Sequence, residues 1–339
     1  MECNLVKQGF QPGSCEVKVG NKIRRACEAT LKKNKSYQRL IKSVQLSRPE
    51  DYLSIYQSGC NHSCKKCHSW YFTQIADGRW MSTDEIARIC EEYERIVTVN
   101  EPRKRATMFH ATDLCKHCGS CILTGKRSDL CPKKLSKDQI LVSPQGFGPA
   151  RNIVAFTGGD IVCRAEFYSE AAEKIKEVAK LWVLIETNGY GLTPKNLDLL
   201  KDNVDSFWLD IKAYDERVYK ALCGTTNKWI LKVPEWIVER GFVLEVCTLY
   251  IPNWVEADQI GKIAKIIAEI DPEIPFTILA YFPEYKLHER TPTLSEMISA
   301  YSSAVEAGLK NVKLGNIGVF ARSDTDFKLL LEVLGEDVI

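Results

Sequence analysis

The sequence predicts an α/β fold in which parallel strands are joined by helical crossovers, either a doubly wound sheet or a β/α barrel. From about residue 150, short apolar runs alternate with segments whose apolar residues recur every three or four positions. Polar residues and glycines follow four successive strand candidates. Because ligands of parallel β/α barrels gather at the carboxyl ends of the strands, we expect a site at that rim.

Seven short apolar segments are the strand candidates. They span residues 52–57, 152–156, 181–186, 206–211, 242–250, 276–282 and 312–314. Amphipathic helix patterns separate the later ones, running from Ala171 to Ala179, from Ile260 to Ile270 and from Leu294 to Val305. The three- and four-residue spacing places each apolar set on one helix face.

The polar signals stand at defined strand ends. We therefore expect the following residues to meet at one edge of the sheet: Cys60 after the first strand, Gly158-Gly159-Asp160 after the second, Glu186-Thr187-Asn188-Gly189 at the third and Asp210-Ile211-Lys212 at the fourth.

Two segments fall outside the alternation and divide the chain. An insert over residues 73–149 begins with a predicted helix, Thr83–Val97, and ends in a Pro- and Gly-rich stretch. The predicted units are an N-terminal extension (1–49), a barrel (50–72 and 150–320), the inserted iron–sulfur module (73–149) and a C-terminal tail (321–339).

Composition favours metal chemistry in a reducing compartment. The 339 residues include 14 cysteines but no signal-peptide pattern at the start and no apolar run of membrane-spanning length, so we expect a cytoplasmic protein without disulfides. Net charge is close to zero, with 46 basic and 44 acidic residues. The basic stretch from Lys18 to Arg48 is either solvated surface or a docking face for an acidic partner, such as a small electron donor or nucleic acid.

The first cysteine run holds three thiols in eight residues, Cys60, Cys64 and Cys67. Thiolates at this spacing can bind one face of an iron–sulfur cube. Three ligands would leave one iron open to a small chelating molecule. The alternative is a zinc site with His62 or His68 as the fourth ligand.

The second cysteine run can supply four ligands. Cys115, Cys118, Cys121 and Cys131, the last followed by Pro132, resemble a ferredoxin-type [4Fe–4S] run, with zinc as the alternative. Other cysteines carry weaker signals. Cys3, Cys15 and Cys27 recur every twelve residues without a close pair, which leaves metal binding open, whereas Cys90, Cys163, Cys223 and Cys247 are interpreted as buried small side chains.

The Cys-x3-Cys-x2-Cys spacing after a first barrel strand resembles the radical S-adenosylmethionine (SAM) superfamily. The resemblance covers residues 50–72 and 150–320. It implies a partial (β/α)6 barrel, here with a ferredoxin-like [4Fe–4S] insert and an N-terminal extension. It further implies an oxidoreductase whose cluster binds SAM through the open iron and cleaves it reductively to a 5′-deoxyadenosyl radical.

Further segments narrow the resemblance and imply site residues. Thr157-Gly158-Gly159-Asp160 is similar to the Gly-Gly-Glu element that holds the SAM amino group, with Asp in place of Glu. The segments 186–189, 210–212 and 219–224 resemble the glycyl-radical-enzyme activating enzymes and, equally, the radical SAM proteins that accompany Memo-like proteins. The implied cofactor-binding residues are Gly158, Gly159, Asp160, Glu186, Asn188, Asp210 and Lys212, with Glu186, Thr187 and Asp210 lining a monovalent-cation site.

Two positions depart from the activating-enzyme pattern. Lys66 stands where the family usually carries an aromatic residue beside the adenine, and Phe282 stands where activating enzymes tend to carry a SAM-contacting His. The long methylene stem of Lys66 could cover the base, and Trp70 or Tyr71 could compensate.

Three functional hypotheses follow. The leading one is activation of a glycyl-radical enzyme or a similar protein partner, with a flavodoxin- or ferredoxin-type electron donor. A rival within the same family is modification of another macromolecule or a metabolite. A hypothesis of another class is a non-enzymatic iron–sulfur electron carrier or a zinc-stapled nucleic-acid-binding module.

Overall fold

A ten-stranded, mostly parallel sheet organises the computed structural model, which describes residues 2–338. Seven parallel strands pair in the order β5-β9-β10-β11-β12-β13-β14, which confirms the α/β fold with a partial barrel. The strands are β1 (Glu16–Val19), β2 (Lys22–Arg25), β3 (Leu31–Lys33), β4 (Tyr37–Leu46), β5 (Leu53–Gln57), β6 (Arg79–Ser82), β7 (Leu141–Ser143), β8 (Gly146–Gly148), β9 (Ile153–Gly158), β10 (Trp182–Thr187), β11 (Ser206–Asp210), β12 (Val243–Tyr250), β13 (Phe276–Ala280) and β14 (Val312–Gly315).

Helices connect the parallel strands and bury their apolar faces against the sheet. The predicted faces over residues 171–179 and 260–270 are the buried faces of two long helices. The helices are α1 (Asn4–Lys7), α2 (Ala26–Thr30), α3 (Trp70–Thr73), α4 (Thr83–Glu94), α5 (Ser120–Leu123), α6 (Ala165–Val178), α7 (Pro194–Leu200), α8 (Glu216–Cys223), α9 (Val233–Glu239), α10 (Ala257–Ile270), α11 (Leu294–Glu306) and α12 (Asp324–Leu334).

The N-terminal residues extend the same sheet on its outer side. β4 pairs antiparallel with β5, and both β3 and β6 pair with β4. Within residues 2–49, β3 and β4 therefore join the sheet that carries the barrel, while β1 and β2 form a separate hairpin. The domain boundaries inferred from the sequence stay predictions.

The insert closes the amino-terminal end of the barrel. The Phe109 amide donates to Glu245 Oε2 (2.8 Å), and the Ser206 hydroxyl donates to the Ala106 carbonyl (2.5 Å). Lys313 Nζ, nearly buried, donates to the Phe109 carbonyl (2.9 Å). Because Ser206 opens β11, these contacts fix the insert at the edge where the strands begin. Along residues 2–338, no helix combines the length and apolar character needed to cross a bilayer.

Candidate functional site

The loops that follow successive parallel strands meet at the carboxyl edge of the sheet. The Asn61 amide, next to Cys60, donates to the Asp160 carbonyl (2.8 Å) beyond β9. The Asn188 side chain, beyond β10, donates to Asn61 Oδ1 (2.7 Å). The first cysteine run and the polar residues after β9 and β10 thus share one edge, where ligands of such sheets bind.

Gly158 and Gly159 let two backbone segments approach closely. Gly158 has φ +83°, a left-handed conformation that favours glycine. A Cβ at Gly159 would lie 2.3 Å from the Gly59 carbonyl oxygen, so only glycine fits there. The two glycines therefore bring the end of β9 against the turn that precedes Cys60.

Asp160 joins three loops through its carboxylate. Oδ2 accepts from the Thr187 hydroxyl (2.6 Å) and the Asn188 amide (2.9 Å). Oδ1 accepts from the Val162 amide (2.9 Å) and from the side chain of Asn61 (3.4 Å). A carboxylate has about four acceptor positions, and the protein fills them. Its implied contact with the SAM amino group stays a prediction.

Asn188 and the backbone of His62 surround the Cys60 sulfur with N–H groups. Asn188 Nδ2 lies 3.8 Å from Cys60 Sγ, and the His62 amide lies 3.5 Å from it. Hydrogen bonds to cluster sulfurs are a main determinant of cluster potential. The implied cofactor-binding residue Asn188 therefore sits against a predicted cluster ligand. In the same run, Cys67 Sγ contacts the Thr73 hydroxyl (3.3 Å).

His62 is engaged on both ring nitrogens. Nδ1 lies 2.8 Å from Asn61 Oδ1, and Nε2 lies 2.8 Å from the Tyr219 hydroxyl. Burial lowers the pKa of His62 to about 3, so the ring is neutral at physiological pH. Asn61 Oδ1 can only accept, which assigns the proton to Nδ1. His62 thus has no nitrogen for zinc, and His68, the other zinc candidate, lies exposed near Glu284.

Asp210 and Lys212 form an ion pair beside the cysteine loop. Burial acts to lower the pKa of Lys212, but the charges of Asp210 and the Cys64 sulfur outweigh it and raise that pKa. A hydrogen bond with the Cys223 side chain, followed by burial, raises the pKa of the Cys64 thiol. The end of β11 and the end of α8 therefore both adjoin Cys64.

Glu186 lies deeper in the barrel mouth. Its carboxyl group is hydrogen-bonded to the Thr157 hydroxyl and accepts from the Tyr52 hydroxyl (2.9 Å). Burial raises the pKa of Glu186 to about 8. A bound monovalent cation would act in the opposite direction and favour the ionised carboxylate of Glu186. The implied cation site with Thr187 and Asp210 stays a prediction.

The four thiols of the second run line one cavity. Ser128 contacts Cys118 Sγ (3.3 Å), and Arg127 contacts Cys131 Sγ (3.8 Å). The cavity wall includes Cys115, Cys118, Cys121 and Cys131, together with Leu114, Arg127, Lys137 and Phe147. Cys131 therefore lines the same cavity as the other three thiols, and its part as the fourth ligand stays a prediction.

The second run lies at the opposite edge of the sheet from the first. His117 Nε2 lies 2.7 Å from Asp51 Oδ2, two residues before β5 begins. Cys60 follows the other end of the same strand. Within residues 2–338, no three His, Cys, Asp or Glu side chains surround a single ion position; in an iron–sulfur cube the thiolates bind different irons.

Several contacts at the edge were not foreseen from the sequence. The Tyr219–His62–Asn61 chain joins α8 to the cysteine loop, and Cys223 lies beside Cys64. The motif over residues 219–224 was a signal for this region, but the partners of its side chains were not readable from spacing. Such contacts depend on how segments that are far apart in the sequence pack against each other.

Comparison with known proteins supports the same family. The model of the radical SAM superfamily matches residues 114–261, which include β9 to β12 but not the first cysteine run. A Methanocaldococcus jannaschii protein provisionally named a glycyl-radical enzyme activating enzyme is 28% identical over 246 residues, or 71% of each chain.

One solved structure resembles the chain in fold, and a second aligns with a lower score. Streptococcus suis SuiB aligns with a TM-score of 0.50 and 16% identity, over 82% of this chain and 52% of SuiB. A domain of a pyruvate-formate lyase-activating enzyme from Bacteroides vulgatus aligns with a TM-score of 0.42 and 20% identity, over 48% of this chain and 98% of that domain. The family match and the curated relative confirm the resemblance that the motifs indicate: residues 114–261 match the radical SAM superfamily model, and the chain is similar to a protein provisionally named a glycyl-radical enzyme activating enzyme.

Proposed function

We propose that this protein cleaves SAM reductively and directs the resulting 5′-deoxyadenosyl radical at a hydrogen atom of a protein partner. The observation that carries the proposal is the set of contacts at the carboxyl edge. There the loop of Cys60, Cys64 and Cys67 is bonded to Asp160 and Asn188. The family implies a [4Fe–4S] cluster and SAM, and this three-thiol loop fits such a cluster.

Each side chain at the edge has a proposed part in holding the cofactors. The three thiolates would bind three irons, and Asn188 would tune the cluster through its N–H near Cys60. Asp160 acts as a positioning residue, because its oxygens already bind the protein. The ion pair of Asp210 and Lys212 would meet the carboxylate and ribose end of SAM. When bound, the cluster and SAM supply the electron and the radical.

The proposed substrate is a backbone glycine of a partner enzyme. The name of the curated relative supports this class. A flavodoxin- or ferredoxin-type donor would reduce the cluster, and the second run would hold an auxiliary [4Fe–4S] cluster. Modification of another macromolecule or a metabolite is the second candidate, favoured by Phe282 standing where activating enzymes tend to carry a His.

The test is SAM cleavage by the anaerobically reconstituted full chain. With dithionite as reductant, we expect 5′-deoxyadenosine and methionine in equal amounts, and about a 100-fold or greater loss in Cys64→Ala because one cluster ligand is gone. Cys90→Ser is the matched control, since Cys90 is buried in α4 away from the edge. Reconstituted protein with a full iron complement that forms no 5′-deoxyadenosine would refute the proposal.

A further inference from the structure

Four cysteines from distant parts of the sequence converge next to the first cysteine run. Two of them flank the N-terminal hairpin, one before β1 and one after β2. β1 and β2 pair with Glu16 opposite Arg25, and the Ala26 amide donates to the Cys15 carbonyl (2.8 Å). Cys15 therefore lies across the hairpin from the start of α2, where Cys27 is the second residue.

The other two cysteines come together where α1 meets the turn after β9. Cys3 is the N-cap of α1. The next residue, Asn4, donates through Nδ2 to the Cys163 carbonyl (3.3 Å) and to Glu166 Oε1 (3.1 Å). The beginning of α1 is thus tied to Cys163, which the sequence analysis interprets as a buried small side chain.

The two pairs pack against the same part of the core, because Cys3, Cys15 and Cys27 are partly buried against the cluster that contains Cys163. The Tyr190 hydroxyl donates to the Pro12 carbonyl (3.1 Å), and a Cβ at the next residue, Gly191, would lie 2.3 Å from the Cys163 amide nitrogen. The electrostatics of the thiols agree with this placement. Burial, and then the nearby thiols of Cys27 and Cys3, raise the pKa of Cys15 to about 12. Burial, then Cys27 and Cys15, likewise raise the pKa of Cys163. Each pair therefore lies within electrostatic range of the other, as the backbone contacts lead one to expect.

We infer that Cys3, Cys15, Cys27 and Cys163 are the ligands of a further iron–sulfur cluster. All four thiols are free of disulfides. Four thiolates complete the ligand set of a [4Fe–4S] cluster. Zinc sites of four cysteines are usually built on Cys pairs two to four residues apart, and this set contains none.

Cations beside these thiols would offset the negative charge of such a cluster. Burial raises the pKa of both Cys15 and Cys27, and the nearby charges of Arg25 and Arg164, respectively, partly oppose that rise. Arg25 is the last residue of β2 and lies two residues before Cys27, and Arg164 directly follows Cys163. Their positive charge would offset part of the negative charge that a thiolate-bound cluster brings.

The inferred set lies beside the first cysteine run. Cys15 Sγ is 4.0 Å from the Asn61 carbonyl oxygen, and Asn61 follows Cys60. Ser14 Oγ accepts from the Ser63 amide (3.0 Å) and donates to the Cys223 carbonyl (3.0 Å). A Cβ at Gly13 would lie 2.3 Å from the Asn61 carbonyl, so a glycine is required.

This placement puts the inferred cluster nearer to the first cysteine run than the second run is. The second run lies near Asp51, at the opposite end of β5 from Cys60. The four-thiol set, by contrast, touches the loop of the first run. It is therefore the set positioned to pass electrons to the cluster that the first run would hold.

Iron and sulfide content of the reconstituted full chain tests the inference without recourse to activity. We expect about 12 iron atoms per wild-type chain, from three cubes, and about 8 in the Cys27→Ser/Cys163→Ser variant. Cys90→Ser, a buried cysteine outside all three sets, should keep about 12. A wild-type content near 8 that the paired substitution leaves unchanged would overturn the inference.

A second variant separates this site from the other two. Serine replaces the seven cysteines of both runs, and circular dichroism checks that the fold persists. We expect about 4 iron and about 4 sulfide per chain, with an EPR signal on reduction that added SAM does not alter. A folded chain that binds only one zinc, or no metal, contradicts the inference. If this variant does not fold, the wild-type and paired-variant iron contents still decide.

Discussion

The ammonium of Lys66 lies over the ring of Phe282, with Nζ 3.7 Å from the ring centroid. Both residues depart from the activating-enzyme pattern, and the structure places the two departures in contact. Burial lowers the pKa of Lys66 to about 8, although the charge of Glu284 acts in the opposite direction. A partly desolvated cation over an aromatic ring is worth about 1–2 kcal/mol. The two residues that differ from the activating-enzyme pattern thus form one interaction at the barrel mouth.

This pairing predicts a measurable coupling between the two side chains. In a double-mutant cycle with Lys66→Met and Phe282→Leu, we expect the unfolding free energies to show a coupling of about 1 kcal/mol. Denaturant unfolding of the cluster-free chain is the measurement. Lys262 and Tyr214 are the matched control, because Nζ lies 5.7 Å from that ring and the pair is exposed. Equal coupling in both cycles would contradict the prediction.

The surroundings of Asp160 predict that glutamate, the residue of the Gly-Gly-Glu element, destabilises the fold at this position. Asp160→Glu adds a methylene to a buried side chain whose oxygens already bind Thr187, Asn188 and Val162. Overpacking of this kind costs about 1–3 kcal/mol. Asp160→Ala should cost about 3 kcal/mol or more, because it strands several buried donors. Thermal unfolding checks both, and a glutamate variant as stable as the wild type would show that the carboxylate is not confined.

Glu186 predicts a loss of stability as pH rises. Burial raises the folded-state pKa to about 8, from an ordinary value of 4.5. The folded state then binds more protons than the unfolded state between those values, so stability falls from about pH 4.5 to about pH 8 and is level above. Glu186→Gln removes the titration and should flatten this part of the curve. Melting temperatures across that range, without added potassium, are the measurement. Parallel curves would mean that Glu186 is ionised in the fold.

The seven parallel strands were predictable because each is a short apolar run, and the first four end in a polar or glycine signal, whereas the short strands β1–β4 and β6–β8 were not predicted. The prediction over residues 181–186 differs from β10 by one residue at each end. The prediction over 276–282 overshoots β13, which ends at Ala280. Tyr281 leaves the strand, and its hydroxyl bonds to the Leu287 carbonyl (2.7 Å). Pro283 has no amide to continue the ladder, and it also restricts the residue before it.

Partners between distant segments were not predictable. The sequence analysis interprets Cys163 as a buried small side chain, because nothing in the neighbouring sequence indicates that α1 packs there. The filled carboxylate of Asp160 was likewise invisible, since its donors follow three different strands. Spacing identifies ligands that are close in sequence. Ligands that come from helices and strands far apart in the sequence can be identified only from the three-dimensional structure.

Substitution of Cys223 tests whether the cluster proposed at the first cysteine run keeps one iron without a protein ligand. Its thiol is hydrogen-bonded to Cys64, which makes it a potential fourth ligand by proximity alone. We expect Cys223→Ser to retain SAM cleavage within about threefold, because serine preserves a hydrogen-bonding group, whereas Cys64→Ser should lose it by about 100-fold or more through loss of a cluster ligand. The measurements are 5′-deoxyadenosine formation and the change that SAM causes in the EPR spectrum of the reduced cluster. If only the Cys223→Ser variant responds to SAM, then Cys223 closes the cluster in the wild type, and the radical chemistry proposed for this chain is wrong.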